Sequence, residues 1–265
     1  FPYTTLFRST LIQIPQYVGG LNHPSIFSLY KDQQGTIWIG SYYGGVNYFS
    51  PDRNGVVHYD YQAGNRSNLY YSYIGEMVED KHGNLWISTD GGGISCVNEN
   101  WELIHQFTAG HQNSIPYNNI KSICYDEKND YLYIGTHLGG LSRYDIQKNQ
   151  FYNYQEHSSR GNLAPHNFIY QVKMWNGKLY LSSREGIFLL DPVSNLFTFL
   201  FKPDSYCTNF DIDDAGNLYV NQSDEIIIVS LYDLSQKRSV PIQKMGYQGG
   251  IARILAVKDG AYVCT

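Results

Sequence analysis

Eight histidines, four cysteines and a recurring aspartate are the residues of this 265-residue chain best equipped to do chemistry. Clustered, they could hold a metal or run acid–base catalysis, so spacing decides. His23, His58, His82, His105, His111, His137, His157 and His166 include no close pair at ligand spacing. Cys96, Cys124, Cys207 and Cys264 are separated by 28, 83 and 57 residues, whereas zinc sites draw cysteines and histidines in tight pairs. The spacing supports neither a metal nor a catalytic centre, and no cofactor is expected. Three of the cysteines sit in apolar strand-like runs, the setting of buried free thiols. Asp32, Asp80 and Asp126 each precede a turn, where a carboxylate caps backbone amides. No alternation of acids of the calcium-loop kind accompanies them.

The aspartate belongs to a longer phrase. Asp32, Gly35 and Trp38 in one copy match Asp80, Gly83 and Trp86 in a second, and Asp126 with Tyr133 in a third. A paired glycine follows each time, at Gly44-Gly45, Gly92-Gly93 and Gly139-Gly140. Aligning Trp38, Trp86, Tyr133, Tyr180, Tyr219 and Tyr262 gives intervals of 48, 47, 47, 39 and 43 residues. A period of about 40–50 residues built from short strands marks a propeller blade. The second copy reads as four strands, Ile74 to Asp80, Leu85 to Thr89, Ile94 to Asn98 and Leu103 to Phe107, joined by turns rich in Asp, Asn and Gly. The predicted fold is all-β: a propeller of four-stranded antiparallel blades, with blades at about 26–60, 74–107, 120–154, 169–201 and 207–242 and a partial blade at 251–265. Residues 10–265 form the repeat unit, Leu11 to Tyr17 reading as an outer strand. Residues 1–9 match no part of it and are set aside as a leader of foreign origin. Seven blades would need roughly 330 residues, so an incomplete ring is expected, an open arc whose bare blade faces favour association and poor solubility.

Composition narrows the function. A net charge of -5 excludes the basic stripe of a nucleic-acid module. There is no run of 18 apolar residues to span a membrane as a helix. Twenty-five tyrosines suit pleated strands, and exposed ones suit ligands that stack and accept hydrogen bonds.

Asp80-Lys81-His82-Gly83-Asn84-Leu85-Trp86-Ile87-Ser88-Thr89, continued by Gly92-Gly93-Ile94, resembles the two-component regulator propeller repeat. The leads into the inner strands resemble it too: Asn65-Arg66-Ser67-Asn68-Leu69, Asn113 to Asn119, and Gly161-Asn162-Leu163. The resemblance implies seven-bladed propellers, often in tandem, forming the periplasmic sensor region of membrane-anchored hybrid histidine kinases of Bacteroidetes-type gut bacteria. It implies an oligosaccharide or other small ligand, further blades and downstream sensor and kinase domains as partners, and a homodimer in the parent protein. No phospho-accepting His box or receiver Asp occurs here, so these residues are expected to be non-catalytic.

An up-and-down meander sends the turns between strands two and three to the same end of each blade as the blade-to-blade linkers. Those are the stretches where the copies differ. They carry Tyr42, Tyr43, Asp90, His137 and Arg184 with Glu185 from the turns, and Tyr70, Tyr71, Tyr117 and His166 from the linkers. Variable loops on a rigid scaffold are where recognition resides, so Tyr42, Tyr43, Asp90, Tyr117, His137 and Arg184 are the candidate ligand residues. Two other readings fit the architecture: a propeller lyase resembling the streptogramin lyases, with His137 and an acid such as Asp90 around a metal, and a scaffold that docks proteins. Trp86, mid-strand among aliphatics, should wedge between blades. Replacing it with Ala should cost roughly 3–5 kcal/mol, read from the denaturant midpoint.

Overall fold

The computed structural model describes residues 21–23, 25–50, 56–59, 69, 71–155, 166–205, 207–222, 224–241, 253–257 and 260–264. The predicted leader 1–9, the strand Leu11 to Tyr17, the lead Asn65 to Asn68 and Tyr70 lie outside the described residues. All described elements are strands. The first sheet is β1 (Ile26–Lys31), β2 (Ile37–Ser41), β3 (Gly45–Phe49) and β4 (Val56–Tyr59). The second is β5 (Ile74–Glu79), β6 (Leu85–Thr89), β7 (Ile94–Val97) and β8 (Leu103–Phe107). The third is β9 (Ile120–Asp126), β10 (Tyr131–Thr136), β11 (Leu141–Asp145) and β12 (Gln150–Tyr154). The fourth is β13 (Ile169–Trp175), β14 (Lys178–Ser183), β15 (Gly186–Asp191) and β16 (Leu196–Phe201). The fifth is β17 (Phe210–Ile212), β18 (Asn217–Gln222), β19 (Glu225–Ser230) and β20 (Asp233–Pro241), and β21 (Arg253–Val257) with β22 (Gly260–Cys264) makes a pair. Strands pair in chain order within every sheet. The fold is a β-propeller of four-stranded antiparallel blades.

The sheets stack face against face, so the middle strands are covered on both sides. β6 and β7 are buried at every residue, which explains their near-continuous apolar runs. The core is correspondingly divided among the seams. Trp86, Ile94 and Cys96 of the second sheet meet Ile120, Ile123, Leu132 and Ile134 of the third. Tyr133 and Leu141 of the third meet Ile169, Val172 and Leu181 of the fourth. Tyr180 and Ile187 meet Phe210 and Val220, Val46 meets Ile74 and Ile87, and Tyr219 meets Ile254. Trp86 is 1% exposed and lies edge-on to Tyr144 of the third sheet, centroids 5.6 Å apart. Burial pushes the Cys124 and Cys207 thiols up to about 12, so neither is a nucleophile at neutral pH.

In three of the blades the repeated aspartate does two jobs. Asp80 Oδ1 accepts the amides of His82 (2.9 Å) and Asn84 (3.0 Å), and Oδ2 accepts the indole N–H of Trp86 at 2.9 Å. Asp32 Oδ1 accepts the Thr36 amide and Oδ2 the Trp38 indole, both at 2.8 Å. Asp213 does the same for the Asn217 amide (2.8 Å) and the Tyr219 hydroxyl (3.1 Å). In these blades the turn and the seam aromatic are thereby fixed by one carboxylate, whereas Asp126 holds only its turn, accepting from the Asn129 amide (3.3 Å) and Nδ2 (2.7 Å). Gly93 and Gly140 close the opposite turns at φ +77° and +76°, and a Cβ on either would lie 2.1 Å from a backbone carbonyl of the neighbouring strand.

The innermost strand of each sheet has one edge with no strand partner among the described residues. From the third sheet onward its amides are met by side chains of the preceding sheet. Glu76 Oε2 accepts from Ile123 N (3.0 Å) and Ser122 Oγ from Val172 N (3.1 Å). Gln171 Oε1 accepts from Phe210 N (2.7 Å) and Asn209 Oδ1 from Ile254 N (2.6 Å). Strand register puts all four acceptors at the same place in their sheets. A second tier follows two residues on, where Cys124 Sγ accepts from Met174 N (3.1 Å) and Asp211 Oδ2 from Ala256 N (2.8 Å). Arg253, at the acceptor position of β21, pairs with Glu76 of β5. Replacing Gln171 with Leu would leave the Phe210 amide and the Asn209 Nδ2 donor unmet. A loss of about 1–3 kcal/mol is expected in chemical denaturation.

Candidate functional site

Backbone hydrogen bonds place the variable turns and the linkers on one face. The first residue after the second strand bonds back to the lead of its own blade: Tyr42 N to Ser25 O (3.0 Å), Asp90 N to Tyr73 O (3.1 Å) and His137 N to Asn119 O (3.0 Å). The second glycine bonds forward to the next blade's lead: Gly45 N to Ser72 O (3.3 Å), Gly93 N to Asn118 O (3.0 Å) and Gly140 N to Asn167 O (2.8 Å). Inside the tip, Thr89 and Thr136 hydroxyls donate to the Gly93 and Gly140 carbonyls, both at 2.9 Å. The tips are held rigidly, while their side chains are left to vary.

Those side chains form a ridge across four blades. On the first, Tyr42 lies edge-on to Tyr73 at 4.3 Å between centroids and stacks on Phe27 at 5.4 Å. Tyr43, exposed and at φ 64°, rests on Tyr73 at 3.9 Å. A hydrogen bond donated to Tyr73, then burial and the nearby Tyr73 and Asp90, hold the Tyr42 phenol above its ordinary value, so it stays protonated. On the second blade, Asp90 Oδ1 accepts from Asn119 Nδ2 (2.7 Å) and Oδ2 pairs with Lys121 Nζ (3.1 Å). On the third, His137 lies 6.2 Å from the Tyr117 ring and 4.2 Å from Phe168. On the fourth, the Arg184 guanidinium sits 5.5 Å over Phe168, which in turn touches Tyr170 at 4.6 Å. Arg184 also lines a hollow of about 420 Å³ with Lys202, Asp204 and Ser205.

The six candidate ligand residues thus fall along one ridge as three local groups, Tyr42 with Tyr43, Asp90, and Tyr117 with His137, and Arg184 joins the last through Phe168. His166 instead caps its own loop, accepting the Phe168 amide at 2.8 Å. Tyr73, Asn119, Lys121 and Phe168, which join the groups, were not among the candidates. They flank the Ile that opens each inner strand, one residue before or after it, and those flanks differ from blade to blade. That variation was the available signal. Among the described residues no three His, Cys, Asp or Glu side chains come together as a metal site. Proton chemistry is poorly served too: burial, then Lys121, then Arg184 lower the His137 pKa below its ordinary 6.5, against the opposing pull of Asp90. What the ridge offers is ring faces beside hydrogen-bonding tips of both charges.

Residues 20–43 and 71–91 match the model of the two-component regulator propeller. Among solved structures, the extracellular domain of a hybrid two-component system from B. thetaiotaomicron superposes with a TM-score of 0.73 at 18% identity, over 92% of this chain and 32% of that one. A second such domain from B. thetaiotaomicron gives a TM-score of 0.73 at 24% identity, over 90% and 34% of the respective chains. PorZ, a surface component of the type-IX secretion system of Porphyromonas gingivalis, matches with a TM-score of 0.62 at 12% identity, over 91% and 30%. The chain spans about a third of the length of each of these relatives. No curated protein matches it by sequence. Likeness at this level establishes the fold, on which different functions are built.

A depressed His137 pKa means the unfolded chain binds the extra proton first. Its contribution to stability is therefore present above pH 6.5 and is lost as pH falls from there toward the folded value. The imidazole titration followed by NMR should have its midpoint below 6.5. Lys121→Met should move it up and Asp90→Asn further down.

Proposed function

As a chain carrying two-component regulator propeller repeats, this protein is, we propose, the ligand-recognising part of an extracytoplasmic sensor. Its ligand is a glycan fragment, and its output is passed to a histidine kinase in the parent protein. On this reading it resides in the periplasm and does no covalent chemistry itself. The observation that carries it is the ridge: three blades repeat their tip-to-lead hydrogen bonds, a fourth carries Arg184 on a shorter turn, and the four differ where Tyr43, Asp90, His137 and Arg184 project.

The chemistry of the ridge suits a saccharide. Tyrosine rings give flat apolar surface for the C–H face of a pyranose, and their hydroxyls bond its rim. Asp90 and Lys121, already paired at 3.1 Å, and Arg184 supply oriented acceptors and donors of the kind that fix a small ligand in a mostly preformed site. Holding the tips to both their own and the next blade's lead reduces the ordering cost of binding. The 4.3 Å edge contact of Tyr42 with Tyr73 ties the first blade's tip to the second blade's lead. A ligand on the ridge therefore bears on more than one blade.

Replacing Tyr43, Asp90 and Arg184 together in the parent sensor should abolish the response to inducing oligosaccharides and leave the far-ultraviolet spectrum and melting curve unchanged. A full response from a folded triple variant would place recognition elsewhere. Binding without any transcriptional output would instead favour the docking role over sensing.

A further inference from the structure

The seam between the first and second sheets departs from the repeat at one residue. In the turns of the third and fourth sheets the left-handed position is Asn149 (φ 51°) and Asn195 (φ 56°). Each Asn carbonyl accepts a tyrosine hydroxyl, Tyr144 at 2.9 Å and Tyr154 at 2.8 Å. Asn is suited to this conformation. The turn between β7 and β8 is built alike, with the left-handed residue's amide donating back into the turn, Trp101 N to Asn98 O at 2.9 Å. Yet the residue held at φ 62° is Trp101, a bulky side chain where few are found. The Asn98 side-chain Oδ1 keeps it there by accepting the amides of Asn100 (3.0 Å) and Glu102 (2.8 Å).

That geometry drives the indole into the first sheet. Trp101 stacks on Trp38 with centroids 5.3 Å apart and on Tyr59 at 3.6 Å, and Tyr48 stacks on Tyr59 at 5.8 Å. Beside the stack opens a cleft of about 430 Å³, on the face of the Asp-x-x-Gly turns and so opposite the ridge. The size lies within the range of small-molecule sites, roughly 300–1,000 Å³. Among the described residues its charged lining is of one sign, with Asp32, Glu79 and Glu99 and no Lys or Arg. His82, which also lines the cleft, is turned toward Asp130 of the third sheet at 3.2 Å.

We propose that this seam is a binding site for a small organic cation, an ammonium bearing apolar substituents. Trp38, Tyr48 and Tyr59 are half-buried and line the cleft beside Trp101, and a ring face open to the cleft attracts a cation, most strongly when it is desolvated. The carboxylates add the field that selects its sign, which an anion would be repelled by and an uncharged ligand would not use. Trp101 is the specificity residue: it brings the second blade's ring to the first blade's stack. The site is independent of the ridge and of the glycan reading.

The test is titration of the whole chain with benzyltrimethylammonium chloride, followed by tryptophan fluorescence and calorimetry. Saturable binding that weakens with added salt is expected, with no binding of maltose or sulfate by this cleft. Trp101→Asn installs the residue its sister turns carry and should still give a cooperative melt, yet lose the fluorescence response. The surface double variant Glu79→Gln with Glu99→Gln should weaken binding about tenfold, and it serves alone if the Trp101 variant fails to fold. Failure to saturate by about 10 mM cation, equal binding of maltose, or unchanged affinity in the folded variants would overturn the proposal.

Discussion

A sheet that radiates from an axis must leave its innermost strand with a bare edge, and buried amides there demand acceptors. Here the acceptors come from the neighbouring sheet. Glu76, Ser122, Gln171 and Asn209 each reach forward to an amide one blade on. Without them the edge would be open to water or to a foreign strand. With them, adjacent sheets are locked in height and angle, and the apolar seams between Trp86 and Tyr144 or Leu141 and Ile169 can close. The polar link and the apolar seam are one device: the link sets the spacing at which the seam is dense.

The repeated aspartate extends that logic outward. Asp80 is 1% exposed and would be costly there without partners. Two turn amides and the Trp86 indole supply them. The hairpin, the seam aromatic and the buried charge then stand or fall together, which accounts for their joint recurrence at Asp32 with Trp38 and at Asp213 with Tyr219. Variation is confined to residues outside this arrangement, and those residues make the ridge.

What the sequence disclosed follows from this division. Turn aspartate, seam aromatic and paired glycine lie within about one hairpin of each other, so the repeat announced the blades and the face on which Tyr42, Asp90, His137 and Arg184 gather. The inter-blade acceptors were not legible. They are four different residue types, and their partners lie 39 to 50 residues away. Tyr73 and Phe168 were missed because they sit at strand openings that read as scaffold. Trp101 was missed for another reason: Asn98 to Glu102 contains no glycine, so nothing in composition signalled a left-handed backbone.

The acceptors also differ in length, and that has a mechanical meaning. A serine spans the gap from β9 to β13, whereas a glutamine is needed from β13 to β17, at hydrogen-bond distances of 3.1 and 2.7 Å. Successive wedges therefore stand at unequal separations around the hub, each gauge fitted to one junction. Blades that arose as copies are no longer interchangeable parts. Transplanting one into another's slot would bring a tether of the wrong reach, however well its hairpins folded.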